Sequence, residues 1–89
     1  MSLSKEQEIN AFLRHTIAKL TEDPALEQLL KDDQLIQGAG MDSIRIINMI
    51  VQIELNYDIA FDDEELQIEN FATLKVIGEQ IMHKLGVIK

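Results

Sequence analysis

Eighty-nine residues, 46% apolar and 27% charged, describe one small folded domain spanning residues 1–89 and exclude a disordered chain. The absence of cysteine excludes disulfides and cysteine zinc sites, and there is neither a bilayer-length apolar run nor a signal-peptide pattern. A net charge of −8 disfavours nucleic acid and anionic membranes as partners, so the expectation is a cytoplasmic monomer without membrane insertion.

Met1, Ser2 and Leu3 are of the kind left by expression cloning and carry no weight. Beyond them, Ile9, Phe12, Leu13, Ile17 and Leu20 share one side of a 3.6-residue period and predict an amphipathic helix. Ser4 and Gln7 supply a capping box for its start. Asp23 and Pro24 end that helix or open a short turn, and residues 21–42 form a long connection that Leu26, Leu29, Leu30, Leu35 and Ile36 can pin down. Residues 43–57 are rich in isoleucine, which suits a strand, but strict alternation is absent. Arg45, Asn48, Gln52 and Asn56 recur at helical steps, so a helix is predicted.

On that helix Ile46, Ile50, Ile53 and Tyr57 share one side, and Ile44, Ile47, Val51 and Leu55 another. A helix apolar on two sides is either central to its bundle or partly exposed for a partner. Asp62 to Glu65 carries a helix-start pattern and predicts a short helix near 62–67. Leu74, Ile77, Ile81 and Leu85 define a last helix, capped by Thr73 or Asn70 and stopped at Gly86. The expected fold is all-α: a small four-helix bundle of three longer helices and one short one. Its core should join Phe12, Leu13, Ile17, Ile46, Ile50, Ile53, Tyr57, Ile77 and Ile81.

Chemistry is scarce. His15 and His83 lie on the polar sides of their helices, without metal-ligand spacing or a nucleophile beside them. Eight acids stand between Asp42 and Glu69 against Arg45 alone, a local field that either steers basic partners or only aids solubility. A calcium loop starting at Asp58 fails, because Ala60 breaks the ligand pattern and the turn glycine is missing. No catalytic group and no metal site are expected. Asp42 and Ser43 remain, at the start of an apolar helix after Gly38 and Gly40. Either residue can simply cap the helix. The same place also suits an attached phosphate, because a helix start stabilises an anion and the glycines keep the approach clear.

Residues 32–81 resemble the phosphopantetheine-dependent acyl and peptidyl carrier proteins. Gly40, Asp42 and Ser43 match the G-x-D-S attachment motif, and Leu35 falls at the family's apolar loop anchor. Ile44, Ile47, Ile50 and Ile53 follow as its apolar helix, and residues 57–61 resemble its aromatic-x-Ile-x-Ile segment. Residues 63–66 are similar to its acidic turn, and residues 70–74 to the lead-in to its last helix.

The resemblance implies 4′-phosphopantetheine, drawn from coenzyme A, esterified to Ser43 and carrying an acyl or aminoacyl thioester. Gly40 would keep the site open, and Asp42 would serve transferase recognition and helix-start electrostatics. Implied partners are a phosphopantetheinyl transferase, an acyl- or aminoacyl-loading ligase, and downstream synthases or transferases. Ile44, Arg45, Ile47, Asn48 and Val51 would meet them.

Arg45 and Asn48 stand where fatty-acid carriers usually place acids, and Asp62 replaces a frequent proline. The chain therefore looks closer to peptidyl or aminoacyl carriers, or to standalone carriers of dedicated pathways. Arg45 should repel enzymes built for acidic carrier helices, and Arg45→Glu should leave the fold undisturbed. The competing reading is a helical interaction module in which Ser43 only caps its helix and Ile44, Ile47 and Val51 dock a partner.

Overall fold

A computed structural model describes residues 4–86; Met1, Ser2 and Leu3 lie outside the described residues. Among these the chain is all-helical, with α-helices α1 (Lys5–Thr21), α2 (Leu26–Leu29), α3 (Ser43–Tyr57) and α4 (Leu74–Lys84). Three 3-10 turns, Ile36–Ala39, Asp63–Glu65 and Ile68–Phe71, complete the path. The expected capping box opens α1, the Ser4 hydroxyl accepting from Gln7 N–H and the Gln7 side chain accepting from Ser4 N–H. Helix α4 starts on Thr73, whose hydroxyl accepts from Val76 N–H, and is followed by Gly86 at φ 75°. Asn70 is not the cap; its side chain donates to the Glu65 carbonyl instead.

Helix α1 packs against α2, α3 and α4, so α1 is the spine of the bundle and α3 lies to one side. That geometry decides between the two readings of α3. Ile46, Met49 and Ile53 are buried, whereas Ile44, Ile47, Val51 and Leu55 are exposed. From the expected core, Leu13, Ile17, Ile46, Ile53, Ile77 and Ile81 are buried, while Phe12, Ile50 and Tyr57 are partly buried against it. Phe12 and Tyr57 meet edge to face at 5.4 Å, and Phe61 and Phe71 at 5.3 Å. Such pairs add to the area they bury.

Two expectations are corrected. The short helix near 62–67 is only the turn Asp63–Glu65, held by Asp62 N–H donating to the Glu65 carboxylate at 2.8 Å. Four consecutive acids repel one another, and Leu66 leaves helical geometry at φ −84°, ψ 52°. The fourth α-helix is instead α2, inside the long connection. That connection is anchored by Leu30, Ile36 and Met41, all buried, whereas Leu29 and Leu35 point to solvent. The anchor falls on Ile36 rather than Leu35 because Ile36 N–H is tied to the Ala72 carbonyl at 2.9 Å.

Polar ties finish the work. Arg14 donates to the Leu30 carbonyl and, at 2.6 Å, to Asp32, which also accepts from Asn10. The Asp32 carbonyl in turn accepts from Lys75 N–H at 3.0 Å. The segment before the candidate site is thereby clamped between α1 and α4.

Candidate functional site

The site is the first turn of α3. Asp42 is the N-cap, in extended geometry, and its Oδ1 accepts from Arg45 N–H at 2.9 Å. The reading in which Ser43 merely caps the helix is thereby overturned: the cap is its neighbour. Ser43 is the first helical residue, is exposed, and its hydroxyl joins none of the hydrogen bonds formed among the described residues. A helix start leaves its first N–H groups without intrahelical partners. Here Ile46 N–H reaches the Asp42 carbonyl and Arg45 N–H reaches the Asp42 carboxylate, which leaves the Ser43 and Ile44 N–H groups as donors at the hydroxyl's own end.

The approach is shaped by two glycines. At Gly40 the backbone has φ 107°, which a side chain would strain, and an added Cβ would lie 3.5 Å from Thr21 Cγ2. At Gly38 an added Cβ would meet nothing within 4 Å, so its openness is not a steric requirement. Beneath this turn Met41 is completely buried and pins the loop.

From Ser43 an open groove of about 470 Å³ runs along α3. One wall is Ile46, Ile47, Ile50 and Val51; the other is Leu66, Ile68 and Phe71. At its far end Glu54 is committed to the fold, its carboxylate accepting from Phe61 N–H at 2.9 Å. Ile44, Ile47, Asn48 and Val51 are exposed on α3, whereas Arg45 is turned back onto Asp42 and the Leu20 carbonyl at the edge of that face. This placement ties Arg45 to the fold and revises the expectation that Arg45→Glu leaves the fold undisturbed.

The wall opposite α3 is latched to α4. Lys84 pairs with Glu65 and lies over the Phe61 ring, and Gln80 donates to the Asn70 carbonyl. The Lys84 hydrogen bond, followed by that from Asp62 N–H, holds the Glu65 carboxyl below its usual value. No cluster of three acids, histidines or cysteines suited to a metal exists among the described residues. His15 is exposed, with Glu27 3.4 Å away, and His83 is exposed as well.

An uncommitted hydroxyl at the start of a 15-residue helix, beside free N–H donors, is an arrangement that suits a covalently held phosphate. Residues 11–81 match the family model described as the phosphopantetheine attachment site. The chain belongs to that family. Its members are carriers rather than catalysts, and the group they bear is covalent 4′-phosphopantetheine. Ser43 and its surroundings fit that group, since the residue is exposed and the bulky apolar side chains of the turn before it, Ile36 and Met41, are buried. This carrier-family chain is also similar to an aminoacyl carrier protein of Agrobacterium fabrum, 29% identical over 73 residues, covering 82% of this chain and 88% of that one. No helix among the described residues is long and apolar enough to cross a membrane.

Proposed function

We propose that Ser43 carries the 4′-phosphopantetheine arm through a phosphodiester, and that the chain delivers aminoacyl or acyl groups as thioesters to enzymes of a dedicated pathway. The observation that carries this reading is the exposed Ser43 hydroxyl, left free at the start of α3 because Asp42 takes the capping role. When bound, the arm supplies a thiol on a flexible tether, a chemistry that a cysteine-free chain lacks.

The chain's own residues supply the rest. The Ser43 and Ile44 N–H groups and the positive end of α3 favour the phosphodiester anion. The groove beside Ser43 gives a tethered apolar group a surface to lie on. Asp42 orders the first turn through its hydrogen bonds to Arg45.

Enzymes that act on the arm dock on Ile44, Ile47, Asn48 and Val51, with Arg45 at the edge of the contact. The two charged side chains of α3 are each bonded to the fold, Arg45 to Asp42 and Leu20 and Glu54 to Phe61 N–H, and the four docking residues themselves carry no charge. These partners are a phosphopantetheinyl transferase, a loading ligase and downstream synthases in the cytoplasm. An aminoacyl cargo is favoured by the similarity to the Agrobacterium protein and by Arg45 and Asn48 where fatty-acid carriers place acids.

The test is sequential loading followed by intact mass. The protein is treated with a phosphopantetheinyl transferase and coenzyme A, then offered either amino acids with an aminoacyl-loading ligase or fatty acids with an acyl-loading ligase. We expect one arm and then one aminoacyl group. Failure to gain the arm refutes the carrier role of Ser43, and loading by fatty acid alone refutes the aminoacyl preference.

A further inference from the structure

Arg45 is the one base among the eight acids between Asp42 and Glu69, and its side chain folds back into the protein. Its Nε donates to the Leu20 carbonyl oxygen at 3.0 Å, and its terminal NH1 donates to Oδ2 of Asp42 at 2.8 Å. The other oxygen of that carboxylate accepts from the Arg45 backbone N–H at 2.9 Å. One residue therefore grips Asp42 twice.

The third bond reaches a different helix. Leu20 lies in the last turn of α1, where carbonyls lack intrahelical partners and the helix dipole is negative, a natural seat for a cation. Thr21 stands against Gly40 at the same place. The end of α1, the glycine turn and the start of α3 thus converge on one guanidinium, that of a residue two positions after Ser43.

An N-cap alone would order the first turn of α3 only relative to α3 itself. The bond to Leu20 adds a reference outside the helix. We propose that Arg45 is a positioning residue for arm transfer: acting through Asp42, it fixes the turn that presents the Ser43 hydroxyl. This rests on Ser43 as the attachment point.

In that step the Ser43 oxygen forms a bond to the pantetheine-bearing phosphorus of coenzyme A. The bond from that phosphorus to adenosine 3′,5′-bisphosphate breaks, and the hydroxyl proton passes to a base of the transferase. Attack of this kind is sensitive to placement, a misalignment of about 1 Å lowering rates by up to roughly a hundredfold. Lysine in place of arginine keeps the charge but not the fork that spans both partners; glutamine keeps neither.

The experiment measures transfer from coenzyme A to wild type, Arg45→Gln and Arg45→Lys across carrier concentration, after circular dichroism shows each variant folded. For Arg45→Gln we expect kcat to fall about fivefold to twentyfold with KM within about twofold of wild type, and Arg45→Lys to recover part of the loss. A rise in KM beyond that makes Arg45 a docking contact and overturns the proposal; unchanged kcat also overturns it.

A second readout needs no transferase. In the protein without its arm, the Arg45 Nε–H should be protected from hydrogen exchange, and Asp42→Asn should reduce that protection. Exchange as fast as in the unfolded chain overturns the proposal. A wild type that accepts no arm at all overturns Ser43 as the attachment site and the proposal with it. Normal loading of both wild type and Arg45→Gln overturns the proposal alone.

Discussion

Five isoleucines on one helix separate core from exposed face within a single side-chain type. Exposure is 0% at Ile53 and 6% at Ile46, against 59% at Ile47 and 72% at Ile44, with Ile50 partly buried between them. Truncation to alanine removes three carbons, worth about 0.8 kcal/mol each where they are buried, or roughly 2.4 kcal/mol before any cavity is counted. The cavity raises the expected cost of Ile53→Ala to about 3–4 kcal/mol, within the usual range for such sites.

Ile46→Ala should follow closely, and Ile50→Ala should cost about half as much because part of its side chain already meets water. Ile44→Ala and Ile47→Ala should stay within about 0.5 kcal/mol, since alanine is also the better helix former. Urea denaturation followed by circular dichroism gives the midpoints. In thermal melts a 3 kcal/mol loss in so small a domain lowers Tm by roughly 12 °C or more. If Ile44→Ala or Ile47→Ala proves as damaging as Ile53→Ala, the face assigned to partners is core and the placement of α3 is wrong.

Gly40→Ala should destabilise by about 1–2 kcal/mol, because φ 107° is strained for any side chain although the new methyl would meet Thr21 only at ordinary contact distance; an unchanged urea midpoint refutes this. Arg45→Glu should also destabilise, by about 1–2 kcal/mol, since it sets a carboxylate against Asp42 and the negative end of α1. Unaltered melting would restore the expectation that Arg45→Glu leaves the fold undisturbed.

Acid should weaken the fold through Glu65 and Asp32, whose carboxyls are held below their ordinary values of 4.5 and 3.8. Lys84 leads for Glu65, and Asn10, then Arg14, for Asp32. A lowered folded pKa gives stability that is present above the unfolded value and lost as pH falls through the folded one. The urea midpoint should therefore hold from neutrality to about pH 5 and drop below it, less steeply in Lys84→Met. A midpoint constant down to about pH 3 contradicts the assignment.

Much of this was legible in the sequence because it depends on local pattern. The Ser4 and Thr73 caps, the helical period of residues 43–57 and its two apolar sides need only nearest neighbours along the chain. Met49 was legible too, lying between Ile46 and Ile53 on a helical repeat. What depended on tertiary context was not legible. Leu35 and Ile36 are adjacent and equally apolar, and only the bond from Ile36 to Ala72 decides which is buried. Four acids at 62–65 carry a sound helix-start signal, yet their mutual repulsion leaves a single 3-10 turn. At the site, the order of Asp42 and Ser43 fitted either residue as cap, and the hydrogen bond to Arg45 settled it. The bond from Arg45 to the Leu20 carbonyl was not legible either, because Leu20 lies 25 positions away and leaves no mark on the local pattern.

The central claim is that Ser43 bears the arm, and peptide mapping tests it most directly. The protein and its Ser43→Ala variant are incubated with a phosphopantetheinyl transferase and coenzyme A, digested, and sequenced by tandem mass spectrometry. The account predicts one phosphopantetheine, located on Ser43 of the wild type, and none on a Ser43→Ala protein that remains helical by circular dichroism. An arm found on any other residue, or retained by Ser43→Ala, would contradict it.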